Sequence, residues 1–356
     1  MTERRKMERI LLTGSPEIKI GASRQTAYDI RKFANELGFV PLEKPTFQNV
    51  FSCESLIKLF VHPLETRITL VAYPFFCHPG KNILRYLELK LIKMLSRWSK
   101  IILYVFDLPI EQSISVGNEI FIDQKSYLIE RELMKCADKI IVFNEKMKSR
   151  IQERCELSDD RFVFFEILDY GVEQPDYLDK EYDPPIAVAY AGNLSRKYVG
   201  NAFLELPVNE KINYHFFGYD GEWISDLSVK FRYEGYFDPL ELAPRMSRIA
   251  HYGLILRDLK NPKFTEYHKY GSTSKFSAYM VSGLPVLVPR TYEYIAQITH
   301  KYGVGLIFDS PKDLDSLLLS VSEDEYRTMR LNTYDLGKKI SQGYFFKKAV
   351  SRAIDS

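Results

Sequence analysis

The chain is 356 residues long, 46% hydrophobic and 27% charged, with a formal net charge of +2. That length suits two globular cores better than one, and the composition is ordinary for a soluble fold. The balanced charge excludes a protein built to grip a nucleic-acid backbone, and no run approaches the roughly 18 apolar residues of a membrane-spanning helix.

The N-terminus, MTERRKMERILL, is charged and has no apolar signal-peptide core, which predicts a cytoplasmic protein. Arg9–Thr13 then reads as a strand ending in Gly14-Ser15, and Ser23–Leu37 as a helix stopped by Gly38. Thr66–Ala72 is a β-branched strand. Lys81–Lys100 is the clearest amphipathic helix, with Ile83, Leu84, Leu87, Leu91, Met94, Leu95 and Trp98 on one face. Its other residues include six basic side chains against one acidic. The apolar stripe suits packing on a sheet, with the basic side toward water; the same pattern also suits peripheral contact with an anionic membrane surface. Lys100–Phe106 is a strand ending at Asp107, Lys125–Lys135 a helix, Lys139–Val142 a strand, and Arg161–Ile167 a further extended run. The Pro-, Asp- and Tyr-rich segment GVEQPDYLDKEYDPP reads as a linker. After it the same rhythm restarts, with strands at Pro185–Ala191, Ile212–Phe217, Leu254–Leu256, Val286–Val288 and Val304–Phe308, and helices after Ser272 and near Thr291–Tyr302. Strands alternating with helices from end to end predict an α/β protein with two parallel sheets, in domains 1–170 and 171–342.

In such sheets ligands bind beyond the carboxyl ends of the strands, so residues just after each strand are the candidates. Tyr267–Pro289 combines a Gly271-Ser272-Thr273-Ser274 loop, Lys275 in the first helical turn, and a Gly283/Pro285 stop before a strand. A cation in a first turn opposes the helix dipole unless an anion docks there, so Ser274 and Lys275 read as a phosphate site or else as an ordinary surface turn. Ala189–Lys197 is a strand, a glycine turn at Gly192-Asn193, then Arg196 and Lys197. The glycine admits a close ligand, and the cations suit a diphosphate or simply a solvated turn. Ser15 and Gly21, in the first strand–helix loop, can cradle a sugar or phosphate, although the loop spells neither G-x-G-x-x-G nor a P-loop. Asp107, after a buried strand, is placed either as a general base or as a turn-forming carboxylate. Glu293 suits ribose hydroxyls or the dipole of its helix. Asp313 and Asp315 read as first-turn acids, the six histidines lack ligand spacing, and Cys53, Cys77, Cys136 and Cys155 are scattered. No metal site is expected.

In order and spacing, Gly21-Ala22-Ser23, ILYVFDLP around Asp107, ADKIIVFN (Ala137–Asn144), YAGNLSRK, HFFGYDG with Gly218, YEGYFDP and SKFSAYMVSGLPVLV resemble small bacterial GT-B glycosyltransferases. The resemblance is to the β-1,6-galactofuranosyltransferase type, whose relatives include the glucosyltransferase of serine-rich adhesin glycosylation. It implies two Rossmann-like domains facing a cleft, the first for the acceptor and the second for a UDP-sugar. It also implies that the C-terminal helix, 343–356, returns to the first domain. Many relatives carry His-Asp where this chain has Phe106-Asp107. The resulting expectation is an inverting hexosyltransferase for cell-surface glycans or glycoproteins, using a saccharide or lipid-linked acceptor, with no cofactor beyond the UDP-sugar substrate. Lys275 with Arg196 or Lys197 would hold the leaving UDP, and Asp107 would take the acceptor proton. Homo-oligomers are compatible with this reading. A catalytically silent GT-B partner of another transferase and a sugar-nucleotide epimerase are the alternatives.

Overall fold

The computed structural model describes residues 8–13, 22–41, 67–74, 83, 86–87, 89–90, 93, 99–118 and 122–356. It forms two compact units: Met1–Glu166 with Phe345–Ser356, and Ile167–Tyr344.

The first unit holds the strands β1 (Glu8–Leu12), β2 (Val40–Pro41), β3 (Arg67–Tyr73), β4 (Lys100–Val105), β5 (Lys139–Val142) and β6 (Phe162–Phe164). They lie in the order β2-β1-β3-β4-β5-β6, every neighbouring pair parallel. From Ile101 to Val105 every side chain is buried, the uninterrupted apolar run expected of a strand covered on both faces. The helices α1 (Ala22–Glu36), α2 (Pro109–Ser115), α3 (Gln124–Cys136) and α4 (Glu145–Cys155) connect the strands. Side-chain caps start two of them: Asp123 accepts from Ser126 N, and Asn144 from Met147 N at 2.8 Å. The C-terminal helix, Tyr344–Asp355, belongs to this unit because its apolar face completes the core. Phe346 meets Tyr104 edge-on at 4.9 Å, and Lys100 Nζ donates to Ile354 O at 2.9 Å.

Of the basic amphipathic segment, Ile83, Tyr86, Leu87, Leu89, Lys90 and Lys93 are described and helical, whereas Ser99 is not helical and Lys100 already begins β4; the rest lies outside the described residues. Of the predicted stripe only Ile83 and Leu87 are described; Leu87 is 55% exposed, and Leu89, outside the stripe, is fully buried. Lys93 Nζ lies 2.6 Å from Asp138 Oδ1, and the other oxygen of Asp138 accepts from Ile101 N at 2.7 Å, which ties this face to β4.

The second unit repeats the plan with β7 (Ile186–Ala191), β8 (Ile212–Phe217), β9 (Phe231–Gly235), β10 (Tyr252–Leu254), β11 (Val286–Pro289) and β12 (Gly305–Phe308). Their order is β12-β11-β10-β7-β8-β9, again all parallel. Its helices are α5 (Arg196–Val199), α6 (Pro239–Ile249), α7 (Pro262–Tyr267), α8 (Ser274–Val281), α9 (Glu293–Tyr302), α10 (Leu314–Leu319) and α11 (Glu323–Ser341). Phe203, Phe216 and Phe231 stack through the core, with centroids 4.7 and 5.3 Å apart. The strand β10 starts at Tyr252, two residues before the predicted run. The edge strand β9, FRYEG, has too little apolar character to read as a strand.

The segment after Gly171 is not a loose linker but part of the second unit. Gln174 donates to Tyr334 O at 3.0 Å, Arg330 to Leu178 O at 2.5 Å, and Tyr182 to Leu318 O at 2.7 Å, while the Tyr182 ring stacks on Tyr326 at 4.4 Å. Its prolines and acids suggest a linker, but its tyrosines serve as anchors, which composition alone does not reveal.

Candidate functional site

The helix α8 opens where the sequence places it. Thr273 caps it by accepting from Phe276 N at 3.3 Å, and Gly283 ends it with a left-handed φ of +68°. Lys275 and Tyr279 are one turn apart and share a face. The Tyr279 hydroxyl donates to Leu254 O at 3.0 Å and accepts from Ala191 N at 2.8 Å, joining the final residues of β10 and β7. Gly253 makes this possible, since a Cβ there would run into the Tyr279 ring. With α8 fixed across both strand ends, Lys275 lies over the end of β7. Its Nζ is 5.2 Å from the Tyr190 ring centre, and a Cβ at Gly192 would stand 2.9 Å from it. Gly192, with φ +147°, therefore keeps open the space the lysine uses. Gly218, at φ +154°, is equally constrained, because its Cβ would collide with the Gly192 carbonyl oxygen.

A second cation joins the lysine. Arg257, three residues past β10, has its guanidinium between the rings of Tyr198 (4.8 Å) and Phe264 (4.4 Å). Among the described residues neither Arg257 nor Lys275 forms an ion pair. Burial, followed by repulsion from Arg257, pushes the Lys275 amine down to about 7. His268 stacks on Tyr292 with centroids 4.0 Å apart; burial, then Arg257 and Lys275, hold it well below the usual histidine range and hence neutral. Two cations crowded together without a carboxylate are unfavourable alone and become favourable once an anion lies between them. The sequence reading missed Arg257. The signal was available, since Arg257 directly follows the predicted strand Leu254–Leu256.

The other predicted residues are dispersed. Asn193 Oδ1 accepts from Ser195 N at 2.9 Å and shapes the turn after β7. Arg196 is exposed, with its guanidinium 4.8 Å from the Trp223 ring centre. Lys197 lies in α5, but its side chain is outside the described residues, as are Ser15 and Gly21. Ser274 and Glu293 are the first residues of α8 and α9, and Glu293 stands 3.8 Å from Lys269 Nζ. Beyond β8 and β9 the half-exposed rings of Tyr219 and Tyr236 meet at 6.4 Å. Asp313 closes a capping box with Ser310, and among the described residues no cluster of three acids, histidines or cysteines forms a metal site. In the first unit Asp107 is half-buried and accepts from Leu108 N at 2.7 Å, just before Pro109 opens α2.

That unit also buries a charge network near the carboxyl end of β3. Arg154 pairs with Glu111 and, at 2.7 Å, with Glu130; Arg150 reaches Glu111 at 2.8 Å; the Tyr73 hydroxyl donates to Glu130 at 3.0 Å. Each carboxylate has a cation, and the network fastens α2 to α3 and α4.

Residues 188–353 match the family model of the glucosyltransferase 3-like C-terminal domain. The chain is 21% identical to glucosyltransferase 3 of Streptococcus gordonii, over 92% of each chain. It is 25% identical to the β-1,6-galactofuranosyltransferase WbbI of Escherichia coli, over 61% of this chain and 64% of that one. Its fold is similar to that of a trehalose-6-phosphate protein from E. coli solved with UDP-2-fluoro glucose, at a TM-score of 0.58 and 11% identity, over 97% and 98% of the two chains. Among the described residues no helix is long and apolar enough to cross a membrane. The matched domain, the two relatives and the paired six-stranded parallel sheets support a GT-B fold and make this chain similar to glycosyltransferases of the glucosyltransferase 3 and galactofuranosyltransferase kind.

Proposed function

We propose that the chain is a hexosyltransferase that takes its sugar from a UDP-linked donor and passes it, with inversion and without a metal, to a saccharide acceptor of a cell-surface glycan or glycoprotein. The observation that carries this reading is the unpaired Lys275–Arg257 couple at the carboxyl ends of β7 and β10. Two positive charges match the charge that develops on UDP as it leaves, so the couple stabilises the transition state more than the ground state. The exposed Tyr219 and Tyr236 offer flat faces for a base beside them. The names of the relatives support a hexose as the transferred group.

In this reaction the acceptor hydroxyl oxygen bonds to the anomeric carbon as the carbon–oxygen bond to the diphosphate breaks. The electron pair leaves with UDP, and the hydroxyl proton passes to the carboxylate of Asp107. The test is calorimetric UDP binding together with donor hydrolysis and transfer, all in EDTA. Binding with EDTA-resistant turnover is expected. If UDP does not bind, the donor assignment is wrong; binding without turnover removes the enzyme reading.

A further inference from the structure

Asp107 stands between two fixed points, and both trace back to Tyr73, the last residue of β3. On one side Phe106 N, just past the end of β4, donates to Tyr73 O at 3.0 Å. On the other side α2 opens at Pro109, and Glu111 in its first turn is buried. Both oxygens of Glu111 accept from the Arg154 guanidinium, and one of them also accepts from Arg150 Nε at 2.8 Å. Arg154 Nη1 donates in addition to Glu130 Oε1 at 2.7 Å, and Glu130 Oε2 accepts from the Tyr73 hydroxyl at 3.0 Å. Burial, followed by the charge of Glu130, holds the Tyr73 phenol well above the usual tyrosine range, so it stays the donor. The backbone from Phe106 to Glu111 is therefore one arc of a closed ring. The ring leaves the Tyr73 carbonyl, passes Asp107, and returns through Glu111, Arg154 and Glu130 to the Tyr73 hydroxyl.

The ring fixes more than the attachment of α2. Ile110 is fully buried and already fastens the helix to the core. A helix of seven residues without a side-chain cap is marginal alone, so its direction is set by whatever holds it. Apolar contacts hold a helix loosely in direction, whereas a guanidinium fork on a carboxylate fixes both distance and plane. Buried ion pairs also add little net stability over apolar side chains of the same shape, so stability is a poor account of four buried charges. The residue whose direction this geometry controls most closely is the one between the two fixed points. We propose that Glu111, Arg154, Glu130 and the Tyr73 hydroxyl are positioning residues for Asp107, and set the direction from which its carboxylate meets the acceptor hydroxyl. This rests on the reading of Asp107 as the base. The four residues act through the backbone of 106–111, where a displacement of about 1 Å can cost on the order of 100-fold in rate.

The test separates an acceptor that needs a base from one that does not. UDP release from UDP-glucose, UDP-galactose and UDP-galactofuranose is followed on the full chain, with water and with azide as the acceptor. Water loses a proton as its oxygen bonds to the anomeric carbon. Azide bonds as the anion and gives up no proton, and in both reactions the electron pair of the broken bond leaves with UDP. Asp107→Asn sets the reference and should lower the water rate far more than the azide rate. Arg154→Lys, whose single ammonium cannot hold two carboxylates in one plane, should lower kcat with water by about fivefold or more. Tyr73→Phe removes one link and no charge, and should lower it by about two- to fivefold. Both should keep the azide rate and the donor KM within about twofold, at a temperature where circular dichroism shows each variant folded. Parallel losses with water and azide would make the ring structural only and overturn the proposal, as would unchanged water rates in both variants. If Arg154→Lys does not fold, Tyr73→Phe decides the matter alone. Failure of Asp107→Asn to separate the two acceptors would instead remove Asp107 as the base, and absence of UDP release by the unaltered protein would sink the enzyme reading itself.

Discussion

The first unit buries its charges in pairs, whereas the second leaves two cations without an acid. Around Arg154, two carboxylates, a second arginine and a tyrosine hydroxyl form a closed set. Around Lys275 the neighbours are an arginine, a neutral histidine and aromatic rings. Both are buried electrostatics beside strand ends, yet only the second gains from an added anion. A perturbed titration therefore marks a binding site only when its countercharge is missing, since structural networks perturb titration as well.

The largest effect that would test this contrast is on stability. Arg154→Met strands Glu111 and Glu130 inside the first unit and should cost about 3–5 kcal/mol in urea unfolding, without touching the UDP site. A cost below about 1 kcal/mol would mean the closed set is not what holds α2 in place. Lys275→Met should act in the opposite way. Removing an unpaired half-buried charge should leave the ligand-free melting temperature unchanged or raised, while UDP affinity falls at least tenfold. Unchanged affinity would remove this lysine from the site.

The pH dependence sharpens the same point. The folded amine at about 7 lies below the ordinary lysine value of 10.5, so between those values the unfolded chain binds more protons than the native one. The ligand-free protein should accordingly gain stability from this group as pH rises from 7 toward 10.5, with the charging penalty fully present below 7. UDP favours the protonated amine, so its affinity should fall above pH 7, by no more than about tenfold per pH unit. The slope should vanish in Lys275→Met. A UDP affinity that is flat with pH in the unaltered protein would show that the amine is already charged before UDP arrives. The smallest effect is at Tyr198. Tyr198→Leu removes one ring from the Arg257 sandwich, worth about 0.5–1 kcal/mol, and should weaken UDP two- to fivefold while Tyr198→Phe keeps full affinity. Equal losses in both variants would implicate the hydroxyl instead of the ring.

Much of this was legible in the chain because it is local. Strand, glycine and cation around Gly192, and loop, lysine and Gly-Pro stop around Lys275, are each contained in a few residues whose spacing fixes the turn. For Arg257 the one local signal is its place directly after a predicted strand; the rings that hold it come from α5 and α7. The anchors of Gln174, Tyr182 and Arg330 stayed hidden for the same reason, since each joins residues more than 130 positions apart. Most of the apolar stripe of the basic helix lies outside the described residues; its Lys93 pairs with Asp138, a contact between residues 45 positions apart that no local pattern announces.

The missing side chain at Gly253 has a consequence for the energetics of recognition. By admitting the Tyr279 ring it ties α8 to two strands at once, and Lys275 is lodged before any ligand arrives. A free lysine carries about 2 kcal/mol of rotamer entropy, which a surface cation surrenders at the moment of binding. Here that loss is part of the folding free energy of the second unit, so more of the attraction for the diphosphate appears as affinity.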